Sequence, residues 1–157
     1  TETDFPMTTC VVGVANEMRA DDAVGLAVVR ALSGTVPEGV AVIECEGEPV
    51  SLLSAWEGHA RAIVVDATQS DAEPGTLRRI VAADGPLPPA LAGSSTHLLG
   101  LADAVELARA LKRLPAATIV YGIEGASFDT GTGLSEPVAA AAEKVAAAIR
   151  RELEDEA

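Results

Sequence analysis

The stretch Cys10–Leu32 constrains the fold of this chain most strongly, because it joins an apolar run to an amphipathic helix through a short polar turn. Cys10–Ala15 is too short and too β-branched for a helix, so we predict a strand buried on both faces. From Asp22 onward apolar residues recur at helical spacing, and Asp21 or Asp22 can cap the first turn of that helix. Open α/β sheets carry their functional groups at such strand-to-helix turns.

The same order of strand, turn and helix recurs along the chain. Further strands are predicted at Val40–Ile43, Ala62–Val65 and Ala117–Tyr121, with Thr76–Ala82 as a partly exposed edge strand. Helical spacing predicts helices over Val50–Trp56, from His97 to Leu111, and from Ser135 to about Leu153. This alternation predicts an α/β fold, namely a three-layer αβα sandwich with a mostly parallel twisted sheet and helices on both faces.

The length and charge limit the possible domains and partners. The 157 residues suit a single domain spanning 1–157, with residues 1–9 and 154–157 expected to be frayed. The chain has 24 acidic and 11 basic residues, and the resulting formal charge of −13 would repel nucleic acid and anionic membranes. We therefore expect no nucleic-acid or membrane partner. No signal peptide or membrane span is visible, so a cytoplasmic location is expected.

Two cysteines, Cys10 and Cys45, each fall inside a predicted strand and not in a CxxC turn. We interpret both as small buried apolar residues. The first predicted strand, Cys10–Ala15, also holds Gly13 and Ala15, which give only a degenerate version of the glycine-rich dinucleotide loop. No GxSxG, HExxH or P-loop pattern occurs in the sequence, which argues against three common hydrolase and NTPase classes.

Three polar residues, Asp22, Asp66 and His97, lie at predicted strand or helix ends. Parallel sheets send the carboxyl ends of their strands to one edge, so the three side chains can converge there. Two carboxylates and an imidazole suit a divalent transition metal such as nickel or zinc, or they can act as acid and base. Taken singly, each has an ordinary structural explanation as a cap, a turn residue or a surface histidine.

Several blocks of the sequence, in order, resemble the hydrogenase maturation endopeptidases. These blocks are Gly13-Val14-Ala15-Asn16, Asp21-Asp22-Ala23-Val24-Gly25, Ile63-Val64-Val65-Asp66-Ala67, Ser95-Thr96-His97-Leu98-Leu99-Gly100-Leu101, Tyr121-Gly122-Ile123-Glu124 and Leu134-Ser135-Glu136-Pro137-Val138. The match extends over roughly Cys10–Ile149. The chain departs from the family pattern at Ala15 and Ala23, which stand where the family has glycine.

The resemblance implies an endopeptidase that removes the C-terminal extension of a nickel–iron hydrogenase large-subunit precursor after nickel insertion. It implies that Asp22, Asp66 and His97 bind nickel supplied by the substrate, and that no organic cofactor is used. It also implies the precursor as partner, and we expect a monomer. Asp22 and Asp66 are then catalytic candidates as well as ligands, and Glu46 stands in for a family aspartate after the second strand.

Two other functions stay open at the level of the sequence. The second candidate is a chaperone-like module that binds a hydrogenase precursor without cutting it. A small-ligand enzyme on a peptidyl-tRNA-hydrolase-like or phosphorylase-like fold is the third candidate, although the acidic charge argues against its RNA version. The sequence does not decide whether Asp66 or another carboxylate activates the water.

Overall fold

The computed structural model describes residues 8–15, 20–46, 48–87, 101–126 and 133–155. Its strands are β1 (Thr9–Val14), β2 (Val40–Cys45), β3 (Arg61–Thr68), β4 (Leu77–Val81) and β5 (Ala117–Glu124). Its α-helices are α1 (Val24–Leu32), α2 (Pro49–Trp56), α3 (Leu101–Ala110) and α4 (Glu136–Asp155). Short 3-10 turns occupy Ala20–Ala23 and Ala82–Asp84.

The five strands form one sheet in the order β2-β1-β3-β5-β4. β1, β2, β3 and β5 are parallel, and β4 runs antiparallel to β5 at the edge. The predicted α/β class, mostly parallel sheet and edge strand are therefore confirmed. After β1 the chain forms β2 on one side of β1, and it then crosses to form β3 on the other side of β1. This change of direction opens a crevice between the carboxyl ends of β1 and β3.

Helices cover both faces of the sheet, as the αβα prediction requires. One core packs α1 and α4 against the sheet, and the other packs α2 and α3 against the opposite face. Cys10 and Cys45 lie in the second core as buried free thiols, which confirms their predicted apolar role. No helix in the described ranges has the length and apolar content needed to cross a bilayer.

Three strands continue past the carboxyl ends that the sequence predicted. β2 continues from Ile43 to Cys45, β3 continues through Asp66 to Thr68, so Asp66 does not end its strand, and β5 continues from Tyr121 to Glu124. The polar ends pair in register, and the Thr68 hydroxyl donates to the Glu124 carboxylate at 2.8 Å. Residues 9 and 154–155, which were expected to be frayed, lie within β1 and α4.

Two glycines allow α1 to approach the sheet more closely than a side chain would permit. A Cβ at Gly25 would lie 2.3 Å from the Val14 carbonyl oxygen and 2.7 Å from the Val65 carbonyl oxygen. A Cβ at Gly13 would lie 2.3 Å from the Gly25 carbonyl oxygen. Gly13 and Gly25 thus serve backbone packing at the crevice, where helix α1 begins.

A cluster of charged side chains attaches the carboxyl-terminal end of α4 to the sheet face that α1 also covers. Glu152 accepts hydrogen bonds from Arg79, at 2.7 Å, and from the Tyr121 hydroxyl, while Arg61 lies 3.8 Å away. Burial alone would raise the pKa of Glu152, but the bonds from Arg79 and Tyr121 outweigh it and lower this pKa. Burial and the neighbouring carboxylate raise the pKa of Tyr121 to about 12.

The close packing of α1 predicts an unusual response to Gly25→Ala. Helix propensity alone would stabilise the protein by about 1 kcal/mol, yet the added methyl would overlap backbone atoms of two strands. We expect the free energy of unfolding, measured by urea denaturation, to fall by about 2 kcal/mol or more.

Gly39→Ala is the matched control for this substitution. An added Cβ there meets nothing within 4 Å, and only its left-handed backbone, at φ +92°, opposes alanine. A loss of about 1 kcal/mol is expected. Equal or greater stability of Gly25→Ala than of the parent protein would contradict the packing account.

Candidate functional site

The turn that follows β1 places an acidic pair at the mouth of the crevice. Ala20 opens this turn in a left-handed backbone conformation, φ 50°, which costs about 1 kcal/mol for a residue with a side chain. Asp21 is fully buried and Asp22 is half-buried. The N-cap position of α1 is occupied by Ala23 and not by either aspartate, and Ala23 makes no side-chain hydrogen bond there.

Asp21 is instead bound to a distant part of the chain. Its Oδ1 accepts the Ser135 N–H at 2.7 Å, and its Oδ2 accepts the Ala126 N–H at 2.7 Å and the Ser135 hydroxyl at 2.9 Å. These donors use both carboxylate oxygens of Asp21, and they tie the turn to the start of α4. Asp22 is left as the member of the pair at the partly exposed surface of the turn.

Asp66 lies on β3 beside Gly122 of β5, and strand alternation places it on the same face as Ala62 and Val64. The Ala67 N–H donates to its Oδ1 at 2.8 Å. Burial raises the pKa of Asp66 well above its usual value, and the charge of Asp22 raises it further. The structure therefore brings Asp22 and Asp66 within electrostatic range of each other, and the 3-10 turn packs against β3.

His97 falls outside the described residues, so its predicted place at the start of a helix is not described either. The described helix α3 begins at Leu101, four residues later in the sequence. Only a short connection joins Ala110, the last residue of α3, to Ala117, the first residue of β5. The start of α3 at Leu101 therefore lies toward the carboxyl edge of the sheet. Within the described ranges, no group of three His, Cys, Asp or Glu side chains is arranged to hold a metal.

Glu46 is exposed and directly follows the last residue of β2. It lies at the same sheet edge as Asp66, but β1 separates the two strands, so their backbones are about 10 Å apart. The preceding acidic residue, Glu44, is paired with Arg30 of α1 at 3.0 Å, and this hydrogen bond lowers the pKa of Glu44. Glu46 is thus an exposed carboxylate of this turn, as is Glu48, whereas Glu44 is paired with Arg30.

Glu124 is the acidic residue whose position sequence reasoning missed. It ends β5 with 1% exposure and accepts hydrogen bonds from Thr68 and from the N–H and hydroxyl of Ser70. It lies beyond Tyr121, where the sequence predicts the end of this strand, because Gly122 interrupts the apolar run there. Ile123, which resumes the run directly before Glu124, was the available signal that the strand continues.

Ala15 and Ala23 replace family glycines without evident strain. Ala23 adopts φ −88° and ψ 3°, a conformation open to any residue. Among described non-glycine residues a positive φ occurs at Ala20 and Lys112, so Ala15 also avoids the left-handed region. The alanines therefore fit the backbone that the turn adopts.

The raised pKa of Asp66 predicts that Asp66→Asn stabilises the protein. A carboxyl with a raised folded-state pKa costs stability once ionised, so the cost is absent below its unfolded pKa, about 4, and grows as pH rises through the folded value. We expect Asp66→Asn to raise the free energy of unfolding at pH 8 by about 1–3 kcal/mol, and the gain to shrink toward pH 4.

Exposed Asp71 supplies the control, since Asp71→Asn should change stability by less than about 0.5 kcal/mol. Chemical denaturation of both variants across pH 4–8 makes the comparison. A loss of stability in Asp66→Asn, or a gain independent of pH, would argue against electrostatic strain at this site.

Known proteins share both the sequence and the fold. A family model described as hydrogenase maturation protease matches residues 26–152, a range that includes Asp66 and begins after Asp22. The chain is 30% identical over 148 residues to hydrogenase 2 maturation protease of Escherichia coli (strain K12), and the match covers 89% of each.

Solved structures agree with this match. The hydrogenase maturating endopeptidase HybD from E. coli has a TM-score of 0.74 and 28% identity, covering 93% of this chain and 94% of that one. The hydrogenase maturation protease HycI from Thermococcus kodakarensis KOD1 shares the fold, with a TM-score of 0.73, 22% identity and coverage of 96% and 95%. The chain therefore belongs to the hydrogenase maturation protease family and is an endopeptidase.

Proposed function

We propose that this endopeptidase removes the C-terminal extension of a nickel–iron hydrogenase large-subunit precursor after nickel insertion. In this proposal Asp22, Asp66 and His97 bind the substrate's nickel. The observation that carries the proposal is the pairing of Asp22 and Asp66 at the switch-point crevice of a hydrogenase maturation protease. The enzyme is taken to act as a monomer in the cytoplasm, with no organic cofactor.

The charge of the pair supports a cation as part of the substrate. Two carboxylates held close together repel each other, and burial strengthens that repulsion because less water screens it. The whole chain adds to this field, with a formal charge of −13. A divalent ion brought to the crevice would remove the repulsion, so the site favours a metal-bearing partner.

A third ligand on the sheet face that α2 and α3 cover would complete the set of metal ligands. Asp66 shares the face on which α3 packs, and the first turn of α3 is directed toward the same edge. His97 precedes that turn by four residues in the sequence. Carboxylate and imidazole are ligand types that nickel accepts.

Nickel would then report whether the precursor is ready for cleavage. An incomplete set of ligands that is completed by another protein's metal makes the affinity of the complex depend on that metal. A precursor without nickel would lose these ligand bonds and bind weakly. The protease would thereby act after metal insertion and not before.

The cleavage step needs a group that accepts a proton from water. Asp66, as a carboxylate in the crevice, is one candidate for this base. Nickel near the scissile bond would polarise the carbonyl. Glu46, exposed beside the crevice, is the second candidate base, since it is a solvent-facing carboxylate at the same edge.

Asp22→Ala and His97→Ala should each reduce processing by about 100-fold or more, because each removes a direct ligand of the nickel. The assay is mass spectrometry of the precursor's C-terminus after incubation with nickel-loaded and nickel-free precursor. Both variants should keep the circular dichroism spectrum of the parent protein.

Glu143→Ala removes an exposed carboxylate from α4 and is expected to process the precursor normally. Normal cleavage by Asp22→Ala or His97→Ala would refute the ligand assignment. A parent protein that binds loaded precursor without cutting it would instead support a chaperone-like role.

Glu46→Gln distinguishes the two candidate bases. If Glu46 accepts the proton, the variant should lose about 100-fold or more in kcat with little change in KM. Glu48→Gln, an exposed acidic residue of the same turn, should retain full activity and controls for the loss of one charge. Unchanged kcat in Glu46→Gln would leave Asp66 as the base.

A further inference from the structure

Two buried carboxylates beside the site have no part in the proposed chemistry. Asp21 has 0% exposure and immediately precedes Asp22, while Glu124 has 1% exposure and lies two residues along β5 from Gly122, the partner of Asp66. A buried carboxylate is costly unless hydrogen bonds compensate it. Each of these two accepts three such bonds, and the bonds lead to specific parts of the chain.

Asp21 connects the turn after β1 to the two sides of the segment between β5 and α4. Both of its oxygens accept a backbone N–H, from Ala126 and from Ser135, each at 2.7 Å. Backbone N–H groups cannot rotate to become acceptors, so they require a carboxylate at both positions. The position of Asp22 is thereby fixed relative to the end of β5 and the start of α4.

Glu124 connects the end of β5 to the loop that follows Asp66. Its Oε1 accepts the hydroxyls of Thr68 and Ser70, each at 2.8 Å, and its Oε2 accepts the Ser70 N–H at 2.6 Å. Its main chain also bonds to the far end of the loop, through Gly75 N–H at 2.8 Å and the Thr76 carbonyl at 2.9 Å. Both ends of the 69–76 loop are therefore held at Glu124.

The two sets of bonds meet in three consecutive residues. Glu124 binds Thr68 and Ser70, the Gly125 N–H donates to the Thr68 carbonyl at 3.1 Å, and Ala126 binds Asp21. A continuous path thus runs from the neighbour of Asp22 to a residue two positions beyond Asp66. We call Asp21, Glu124 and the segment 124–126 the carboxylate brace.

We propose that Asp21 and Glu124 are positioning residues that set the separation of Asp22 and Asp66 for a divalent metal. This inference rests on the proposed function of that pair. Metal ligands must be held within a few tenths of an ångström, and the groups behind them commonly determine metal affinity. The hydrogen bonds of the brace join the residue before Asp22 to the residue two positions beyond Asp66, so they fix the main chain on both sides of the crevice before the metal arrives.

The geometry predicts opposite outcomes for two nearly isosteric changes. Asp21→Asn must turn its NH2 group toward one backbone N–H, so it breaks the brace. Glu124→Gln can keep its carbonyl oxygen on the Ser70 N–H while its NH2 donates to the Thr68 hydroxyl, which can rotate to accept; only the bond from the Ser70 hydroxyl, whose oxygen already accepts the Ala72 N–H at 3.1 Å, is lost. Glu124→Leu cannot make any of these bonds.

The test measures the affinity of the purified full chain for Ni²⁺ alone, by isothermal titration calorimetry well below the melting temperature of every variant. Asp21→Asn and Glu124→Leu should bind Ni²⁺ about 10–100-fold more weakly than the parent protein. Glu124→Gln should stay within about 3-fold of the parent. Glu152→Gln, which disrupts the charge cluster at the far end of α4, controls for a general loss of stability and should bind Ni²⁺ normally.

Parent-like Ni²⁺ affinity in Asp21→Asn and Glu124→Leu would overturn the brace. An equal loss of affinity in Glu152→Gln would overturn it as well, because stability and not positioning would then explain the effect. If Asp22→Ala bound Ni²⁺ as tightly as the parent protein, the proposed function would be overturned, and the brace with it. The two failures are distinguished by the Asp22→Ala variant.

Discussion

The burial of Asp66 close to Asp22 is the constraint on which the rest of the site depends. Burial, and after it the charge of Asp22, raise the pKa of Asp66, which means that the fold disfavours the ionised form of this carboxyl. Proteins keep such strain where function needs it. A site that is unfavourable when empty and favourable with a cation is suited to a partner that brings its own metal.

The fold supplies the means to hold this pair. The strand order opens a crevice between β1 and β3, and Gly13 and Gly25 let α1 begin against both strands without a side chain between them. Asp21 and Glu124 then tie the two loops at the crevice to the segment 124–126. Main-chain packing and buried hydrogen bonds therefore fix the backbone at this edge of the sheet.

Much of this architecture follows from sequence patterns, for identifiable reasons. The buried strands are short β-branched runs and the helices have strong apolar periodicity, so their order predicts the parallel sheet. The partners of Asp21 were not predictable, because the Ala126 and Ser135 N–H groups lie more than 100 positions away in the chain. The extension of β5 to Glu124 was missed because its carboxylate is compensated by Thr68 and Ser70, which no local pattern relates to it. His97 lies outside the described residues, so its role rests on the resemblance of its sequence block.

The central claim is that one metal ion contacts both carboxylates and the histidine, and a crystal structure of the protein soaked with Ni²⁺ or Cd²⁺ tests it most directly. The account predicts an anomalous peak within bonding distance of Asp22, Asp66 and His97 together. An ion bound by only one of the three, or bound elsewhere with the crevice unoccupied, would contradict it.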